Sequence, residues 1–238
     1  MNKHLFLALS GLTFSAFVAC SSGETSSETA TAADSTSETS SSEWEDLTSL
    51  DKWRNYKADT ISGSWQLEDG VLALNGKGGG DIITKEEYDN FELELDWKIS
   101  EGGNSGLFFN VIEADSIGPA YHTGPEYQFI DDERHADAKN RKHRSGDNYD
   151  VQQATTETVK PAGEWNTTRL IVNGDHVEHY LNGEKIVEYD LGSPAWQDSV
   201  ANSKFAEIST YGTAEKGHIA LQDHGDPVWF RNIRIREM

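Results

Sequence analysis

The sequence has one cysteine, Cys20, among 238 residues, so no disulfide bond can form within the chain. Basic residues are also scarce, since 20 Lys and Arg stand against 41 Asp and Glu, for a formal net charge of -21. Binding to nucleic-acid phosphates needs a cationic surface, so this charge balance excludes a nucleic-acid partner.

Familiar catalytic motifs are absent as well. The sequence contains no G-x-S-x-G elbow, no P-loop, no H-E-x-x-H and no cysteine-based zinc site. His135 and His143 lie in one loop, at a spacing that favours surface groups over metal ligands. Acidic residues are plentiful, but no two have a spacing diagnostic of the carboxylate pair of glycosidases. Motifs of these kinds therefore assign no enzyme class.

The start of the chain combines a short basic region with an apolar run from Leu5 to Val18. That run is too short and too interrupted for a good spanning helix, so residues 1–19 are predicted to be a signal peptide. Ala19 precedes Cys20 as a small residue does in a bacterial lipobox, which predicts cleavage before Cys20 and lipidation of its thiol. An ordinary secretory signal with a stray cysteine is the alternative.

A segment rich in Ser, Thr and acidic residues follows the cysteine. It has no aromatic and no basic residue over residues 21–42, so it cannot bury enough apolar surface to offset its ordering entropy. We expect residues 20–43 to be a lipidated, disordered tether and residues 44–238 to be a single domain. Ser21 stands where an Asp often retains lipoproteins at the inner membrane. This predicts an exported bacterial lipoprotein of the cell envelope, at the outer membrane in a two-membrane cell.

The rest of the chain has the pattern of short strands joined by tight turns. In FELELDWKIS, residues 91–100, apolar side chains alternate with charged ones, which is the period of a half-buried strand. Asn173-Gly174 and Asn182-Gly183 are hairpin signals, because type I′ turns need positive φ at both central positions. Only residues 193–204 have a helical pattern, with Ser193 as the N-cap. Many alternating strands without a βα rhythm predict an all-β antiparallel sandwich.

The segment TGPEYQFIDDERH, residues 123–135, alternates polar and apolar side chains. In a strand, Tyr127 and Phe129 would face the core, and Glu126 and Gln128 would line the opposite face. Such a face can hold a sugar through paired hydrogen bonds, and one carboxylate can move a proton. A solvated polar face is the alternative that periodicity leaves open.

Four segments together resemble the 3-keto-disaccharide hydrolase family over residues 44–238. They are ISEGGNSGLFF (99–109), TGPEYQFIDDERH (123–135), PAGEWNTTRLIVNGDHVEHYLNG (161–183) and GHIALQDHGDPVWFRNIRI (217–235). The start of the domain, WEDLTSLDKWRNY, departs from the family's usual opening, L-F-N-G-x-x-L-x-G-W.

The resemblance implies a concanavalin A-like jelly-roll sandwich of two antiparallel sheets that acts on glycosides oxidised at carbon 3 of a glucose ring. Family members are described as hydrolases and as 3-keto-glucoside 1,2-lyases with hydratase activity on the resulting 3-keto-2-hydroxy-glucal. A ketone at carbon 3 acidifies the hydrogen on carbon 2, so a base can remove it and the anomeric substituent can leave by β-elimination. Water then adds back, and the net result is hydrolysis.

This chemistry needs a base, an acid and a donor or cation on the ketone oxygen. Glu126 and His135 are the leading proton-transfer candidates, and His224 is a second acid or base. For His224 the alternative is a turn formed with its neighbours Asp223 and Gly225.

Five further residues are predicted to bind substrate. Asn104, Gln128 and Arg231 would bind hydroxyls or stabilise the oxyanion, although Arg231 could instead pair with a carboxylate. Gln222 shares a strand face with His224, and Asp131 would orient His135 or join a metal site.

Two other function classes stay open, namely a non-catalytic carbohydrate-binding module and an ordinary glycoside hydrolase on the same sandwich. Glu126, His135 and Arg231 favour an enzyme, because a pure sugar-binding surface does not need that combination. The expected partners are a 3-keto-glycoside substrate, the membrane through the lipid anchor, and a glycoside 3-oxidoreductase. No cofactor is certain, and a divalent metal ion is left open.

Overall fold

The computed structural model describes residues 43–238, which form two antiparallel β-sheets. The predicted signal peptide, the lipidated Cys20 and the tether up to residue 42 lie outside the described residues and stay predictions. None of the helices within the described part of the chain is long and apolar enough to cross a membrane.

Short strands account for most of the regular structure over residues 43–238. In chain order they are β1 Glu45–Asp46, β2 Trp53–Asn55, β3 Trp65–Glu68, β4 Val71–Leu74, β5 Ile82–Thr84, β6 Phe91–Ile99, β7 Asn104–Val111, β8 Glu126–Ile130, β9 Asn166–Asn173, β10 His176–Leu181, β11 Glu184–Asp190, β12 His218–Leu221 and β13 Val228–Glu237. The eight-stranded sheet has the order β11-β10-β9-β6-β13-β4-β3, with β1 paired to β13. The five-stranded sheet has the order β2-β5-β12-β7-β8. The predicted jelly-roll architecture of two antiparallel sheets is confirmed.

The inner faces of the two sheets form the core. The five apolar residues of β6, from Phe91 to Ile99, are each no more than 2% exposed, which confirms the predicted alternation. Trp97 of β6 stacks on Phe129 of β8 across the two sheets, with ring centroids 4.7 Å apart. Burying side chains of this size stabilises the fold by about 1.5–3 kcal/mol each.

The two predicted hairpin turns differ in how accurately the sequence located them. Asn182 (φ 51°) and Gly183 (φ 90°) both have positive φ between β10 and β11, as a type I′ turn requires. The predicted turn at Asn173-Gly174 is displaced by one residue, because Asn173 still pairs with His176 in the ladder. The turn residues are therefore Gly174 and Asp175. Of these two residues only Gly174, the first, has positive φ (60°), as a type II′ turn requires.

The α-helix of the described residues, α1, spans Pro194–Ala201. Ser193 caps it by accepting a hydrogen bond from the Trp196 N–H at 3.2 Å, as predicted. The helix ends before Lys204, which lies in the turn that follows. Short 3₁₀ turns occur at Leu50–Lys52, Ala120–His122 and Asp137–Lys139.

Candidate functional site

The outer face of the five-stranded sheet carries the predicted polar residues. Tyr127 and Phe129 face the core, so Glu126 and Gln128 point to the outer face, as predicted. Loops cover this face and leave Glu126 only 4% and Gln128 only 1% exposed. The alternative of a solvated polar face is therefore wrong. The chain between residues 146 and 149 folds back along β8, with hydrogen bonds to the backbone of Glu126 and Gln128.

Gly106 of β7 leaves the space in which the Glu126 carboxyl group lies. A Cβ atom added at residue 106 would come within 3.1 Å of Glu126 Cδ and still closer to Oε1. Glycine at this position thus permits a close approach that a side chain would block. The carboxyl group rests against the backbone of the sheet.

Burial is the dominant influence on the Glu126 carboxyl group. It raises the pKa of Glu126 to about 8, an effect opposed by the Lys204 ammonium and reinforced by the Asp81 and Asp137 carboxylates. Such a group is largely protonated at neutral pH and can donate a proton to a leaving oxygen. Carboxyl groups of this kind concentrate at functional sites.

Asp81 is a second carboxyl group on the same outer face. It directly precedes β5, where Ile83 pairs with Ala220 of β12, so strand alternation places Asp81 beside Gln222. Burial raises the pKa of Asp81 to about 6, while a hydrogen bond from the Asp223 N–H, at 2.9 Å, lowers it. Asp81 is therefore mostly ionised at neutral pH, whereas Glu126 is mostly protonated. Two carboxyl groups whose environments separate their pKa values in this way suit base and acid roles.

Lys204 supplies a cation beside Glu126 that sequence analysis missed. Its Nζ lies 3.9 Å from the centroid of the Tyr149 ring, and its backbone N–H donates to Asp150 Oδ2 at 2.6 Å. The Tyr149 N–H in turn donates to the Glu126 carbonyl oxygen at 3.0 Å. Residues 149 and 204 are far apart in the chain and only the fold brings them together, so no motif or spacing could have indicated the contact.

His143 is a buried residue of this network, although its spacing from His135 suggested a surface group. It is 9% exposed, and its Nδ1 and Nε2 lie 2.8 Å from Asp137 Oδ1 and 2.8 Å from Asp150 Oδ1. Its ring stacks on Tyr149 at 4.2 Å, and the Tyr149 hydroxyl donates to Asp137 Oδ2 at 2.9 Å. His143 therefore holds in place Tyr149 and Asp150, two of the residues that contact Lys204.

His135 and His224 come together from separate loops, with ring centroids 6.2 Å apart. His135 Nδ1 accepts a hydrogen bond from the Asp137 N–H at 3.2 Å, which leaves Nε2 to carry the proton of the neutral ring. The Asp137 carboxylate interacts electrostatically with both His135 and Glu126. His224 is exposed and His135 half-buried, so both are accessible to a ligand from solvent.

Asn104 and Gln222 place amide groups on the same face. Asn104 has the same strand parity as Gly106, and the Gln222 N–H donates to the Gly106 carbonyl oxygen at 3.0 Å. Asn104 Oδ1 and Gln222 Oε1 are buried and have no hydrogen-bond donor within the described part of the chain. Leaving a buried oxygen without a donor costs roughly 1–3 kcal/mol, so a donor supplied by a ligand would be favourable.

The carboxylate of Asp131 accepts hydrogen bonds from the backbone of nearby turns. It accepts backbone hydrogen bonds from Gly102 at 2.7 Å, Glu133 at 3.0 Å and Arg134 at 3.3 Å. Its backbone carbonyl oxygen, not its carboxylate, bonds the His135 N–H at 3.0 Å. The interpretation of the Asp131 side chain as a substrate or metal ligand is therefore corrected to a structural role.

Arg231 is not part of the site around Glu126. Phe230 faces the core and contacts Phe129, so Arg231 points outward from the eight-stranded sheet. Its Nε lies 3.1 Å from Asp96 Oδ2, and its guanidinium covers the Trp165 ring at 4.1 Å. The core separates it from Glu126, so of the two interpretations the ion pair with a carboxylate is the correct one.

Metal-ligand geometry occurs elsewhere on the surface. Over residues 43–238, ligand atoms that lie within 4.8 Å of one another belong to His176, Glu178 and Glu188. These residues lie on β10 and β11, and Lys185 Nζ pairs with Glu178 at 3.3 Å and Glu188 at 2.7 Å. The cluster is separate from Glu126, and the described residues identify no metal position at the candidate site.

The fold and the site together define a jelly-roll protein with a buried polar face that carries ionisable side chains. A Bacillus subtilis protein of unknown function with a galectin-like fold matches this fold at a TM-score of 0.53 and 18% identity, over 82% of this chain and 94% of that one. A crystal structure from Parabacteroides distasonis ATCC 8503, provisionally described as a glycosyl hydrolase, matches with a TM-score of 0.77 and 33% identity, over 82% of this chain and 94% of that one.

Sequence comparison gives the family. Residues 43–236 match the model of the 3-keto-alpha-glucoside-1,2-lyase-like domain. A 3-keto-disaccharide hydrolase of Bacteroides thetaiotaomicron VPI-5482 is 38% identical over 213 residues, which are 77% of this chain and 73% of that protein. The chain belongs to the 3-keto-alpha-glucoside-1,2-lyase-like domain family, as the four sequence segments indicated.

Proposed function

We propose that the protein cleaves the glycosidic bond of 3-keto-glycosides by proton abstraction at carbon 2, β-elimination of the anomeric substituent and addition of water. The observation that carries this proposal is the buried Glu126 carboxyl group, whose pKa of about 8 makes it a proton donor at neutral pH. The relative named 3-keto-disaccharide hydrolase supports the substrate class.

Two carboxyl groups on one face divide the acid and base roles. We assign Asp81 as the base that removes the carbon-2 proton, because it is ionised at neutral pH while its raised pKa keeps it more basic than an ordinary aspartate. Glu126 is the acid that protonates the leaving oxygen. This assignment needs no nucleophile and no pair of carboxylates placed across a sugar ring.

The amide and imidazole groups bind and orient the sugar. Asn104 Oδ1 and Gln222 Oε1 lack donors among the described residues, so each can accept a hydrogen bond from a sugar hydroxyl. Gln128 lies directly opposite Gly106 in the ladder and contributes a third amide to the face. His135 has Nδ1 occupied, so its Nε2–H donates, and His224 lies next to it.

The cellular setting of the proposal rests on residues 1–42 alone. Cleavage before Cys20 and lipidation of its thiol would anchor the enzyme in the cell envelope, with the outer membrane favoured by Ser21. The substrate requires prior oxidation at carbon 3, so a glycoside 3-oxidoreductase is the expected functional partner.

The test is cleavage of 3-keto-trehalose beside trehalose by the full chain, with and without a chelator. We expect cleavage of the keto sugar alone, because only a ketone at carbon 3 acidifies the carbon-2 hydrogen. The chelator arm reports whether a divalent ion takes part. Cleavage of trehalose itself would identify an ordinary glycosidase, and binding without cleavage of either sugar would identify a carbohydrate-binding module.

A further inference from the structure

Removal of the carbon-2 proton moves negative charge onto the carbon-3 oxygen, and a positioned cation there lowers the barrier. Arg231 was predicted for this task but lies on the other sheet, paired with Asp96. We propose that Lys204 is a catalytic residue whose ammonium binds the ketone oxygen at carbon 3 and stabilises the enolate that forms. This inference rests on the proposed function.

Aromatic rings hold the Lys204 ammonium without using up its hydrogen bonds. Its Nζ lies 3.9 Å from the ring centroid of Tyr149, 5.0 Å from that of Phe205 and 5.6 Å from that of Tyr121. Cation–π attraction positions the charge, and an ammonium still offers three N–H donors. Lys204 forms no salt bridge with a carboxylate over residues 43–238, so these donors can reach a ligand oxygen.

The backbone on both sides of this contact is fixed. Asp150 has φ of 61°, and its carboxylate accepts from the Lys204 N–H at 2.6 Å while its other oxygen meets His143 Nε2 at 2.8 Å. Tyr149 is tied to Glu126 through the backbone hydrogen bond of 3.0 Å. The backbone segments that carry the cation and the proposed acid are therefore tied together before any substrate binds, which is the preorganisation that electrostatic catalysis requires.

With these residue roles, each proton and electron pair of the reaction has a donor and an acceptor. Asp81 takes the carbon-2 proton, and the electrons of that C–H bond form the carbon-2–carbon-3 double bond as the ketone becomes an enolate held by Lys204. The enolate then returns to the ketone, a double bond forms between carbons 1 and 2, and the bond to the leaving oxygen breaks while Glu126 protonates that oxygen. Water adds its oxygen to carbon 1 and gives a proton to the Glu126 carboxylate, while the Asp81 carboxyl group, after exchange with solvent, returns a proton to carbon 2.

The test compares Lys204→Met with Lys216→Met in the full chain. Methionine keeps an apolar stem against the rings and removes the charge, whereas Lys216 is an exposed lysine that makes none of the ring contacts of Lys204. We expect Lys204→Met to lower kcat on 3-keto-trehalose by about 10²–10³, the cost of losing one oxyanion donor, with an unchanged circular dichroism spectrum. Lys216→Met should match the unaltered protein.

Chemical rescue separates charge from packing. Lys204→Cys treated with 2-bromoethylamine regains an ammonium of nearly the original length, and should regain most of the lost kcat. The unaltered protein, whose sole cysteine is Cys20, is treated in parallel as a control.

Three outcomes would overturn the role of Lys204 while leaving the proposed function intact. They are full kcat in Lys204→Met, a change confined to KM, and loss of activity that the restored ammonium does not rescue. Failure of the unaltered protein to cleave any 3-keto-glycoside would instead overturn the proposed function, and the inference with it.

Discussion

Glu126 owes its chemistry to its surroundings. An ordinary glutamate is ionised at neutral pH, but burial against the backbone of Gly106 raises the pKa of this one to about 8. The nearby Lys204 ammonium opposes the shift without cancelling it. The result is a carboxylic acid that keeps its proton at neutral pH, as the proposed acid role requires.

Replacement of Glu126 by glutamine removes the acid and keeps the shape. We expect Glu126→Gln to lower kcat on 3-keto-trehalose by about 10²–10⁴, the usual contribution of a positioned general acid or base, with a smaller change in KM. Steady-state kinetics would measure this, with the exposed Glu133→Gln as the matched control. A kcat equal to that of the unaltered protein would remove Glu126 from the mechanism.

Strand alternation made some site residues predictable and others not. It placed Glu126 and Gln128 on one face, because the period of a strand fixes which side chains share a side. Alternation does not show which sheet a strand joins. Arg231 was therefore predicted as a site residue, although it lies on the other side of the core from Glu126. Asp81 and Lys204 were missed, because their proximity to Glu126 depends on long-range register.

The pairing of β7 with β8 is the element that builds the floor of the site. Gln128 lies opposite Gly106, and Phe108 lies opposite Glu126. The missing side chain at residue 106 creates a gap in an otherwise filled outer face, and the Glu126 carboxyl group fills it. Glycine in the interior of a strand often marks a close approach of another group, and here that group is the Glu126 carboxyl group.

Substitution of Gly106 tests this arrangement. We expect Gly106→Ala to reduce kcat/KM strongly and to lower the free energy of unfolding by about 1–3 kcal/mol, because the added Cβ forces the Glu126 carboxyl group away. Enzyme assays and urea denaturation would measure the two effects. Gly63→Ala is the matched control, since a Cβ there meets nothing within 4 Å. Wild-type activity in Gly106→Ala would show that the carboxyl position does not matter.

Secondary structure was predictable where local chemistry decides it. The type I′ turn at Asn182-Gly183 and the Ser193 cap followed from residue type alone. The turn after β9 is shifted by one residue, because the ladder with β10 extends through Asn173. Asn90 Oδ1 also accepts from the Gly174 N–H at 2.6 Å, a tertiary contact that no local pattern shows.

At the scale of the whole molecule, buried carboxyl groups link stability to pH. Burial raises the pKa of Glu126 to about 8 and that of Asp147 to about 7. A carboxyl group whose pKa is raised by folding stabilises the protein fully below its unfolded pKa, and that stability is lost as pH rises through the folded pKa. Burial lowers the pKa of His179 to about 4, so this group affects stability only below its unfolded pKa of about 6.5.

Between pH 6.5 and pH 8, Glu126 and Asp147 should therefore both lower stability as pH rises. We expect the free energy of unfolding to fall across this range, with roughly 1–2 kcal/mol of the fall due to Glu126. Urea denaturation at the two pH values would measure it, and Glu126→Gln should show a shallower fall than Glu133→Gln. Equal slopes in the two variants would contradict the assigned pKa of Glu126.

The fold class was the most predictable property of the whole chain. Alternating strands predicted a sandwich, and four ordered segments pointed to the family that the comparison then gave. The burial of Glu126 and Gln128 was not predictable from alternation, because it depends on contacts from outside β8, such as the loop at residues 146–149 that hydrogen-bonds to the β8 backbone. The acidic composition excluded a nucleic-acid partner, but it gave no information about how this loop packs.

In the proposed mechanism, the carbon-2 hydrogen leaves before the glycosidic bond breaks. The most direct test uses 3-keto-trehalose carrying deuterium at carbon 2 of its oxidised ring, cleaved by the full chain in ordinary water. Mass spectrometry of the earliest product should show the label lost to solvent, with labelled 3-keto-glucose incubated alone as the control for spontaneous exchange. Retention of the deuterium together with the absence of a primary isotope effect on kcat would mean direct hydrolysis, and would contradict the elimination mechanism.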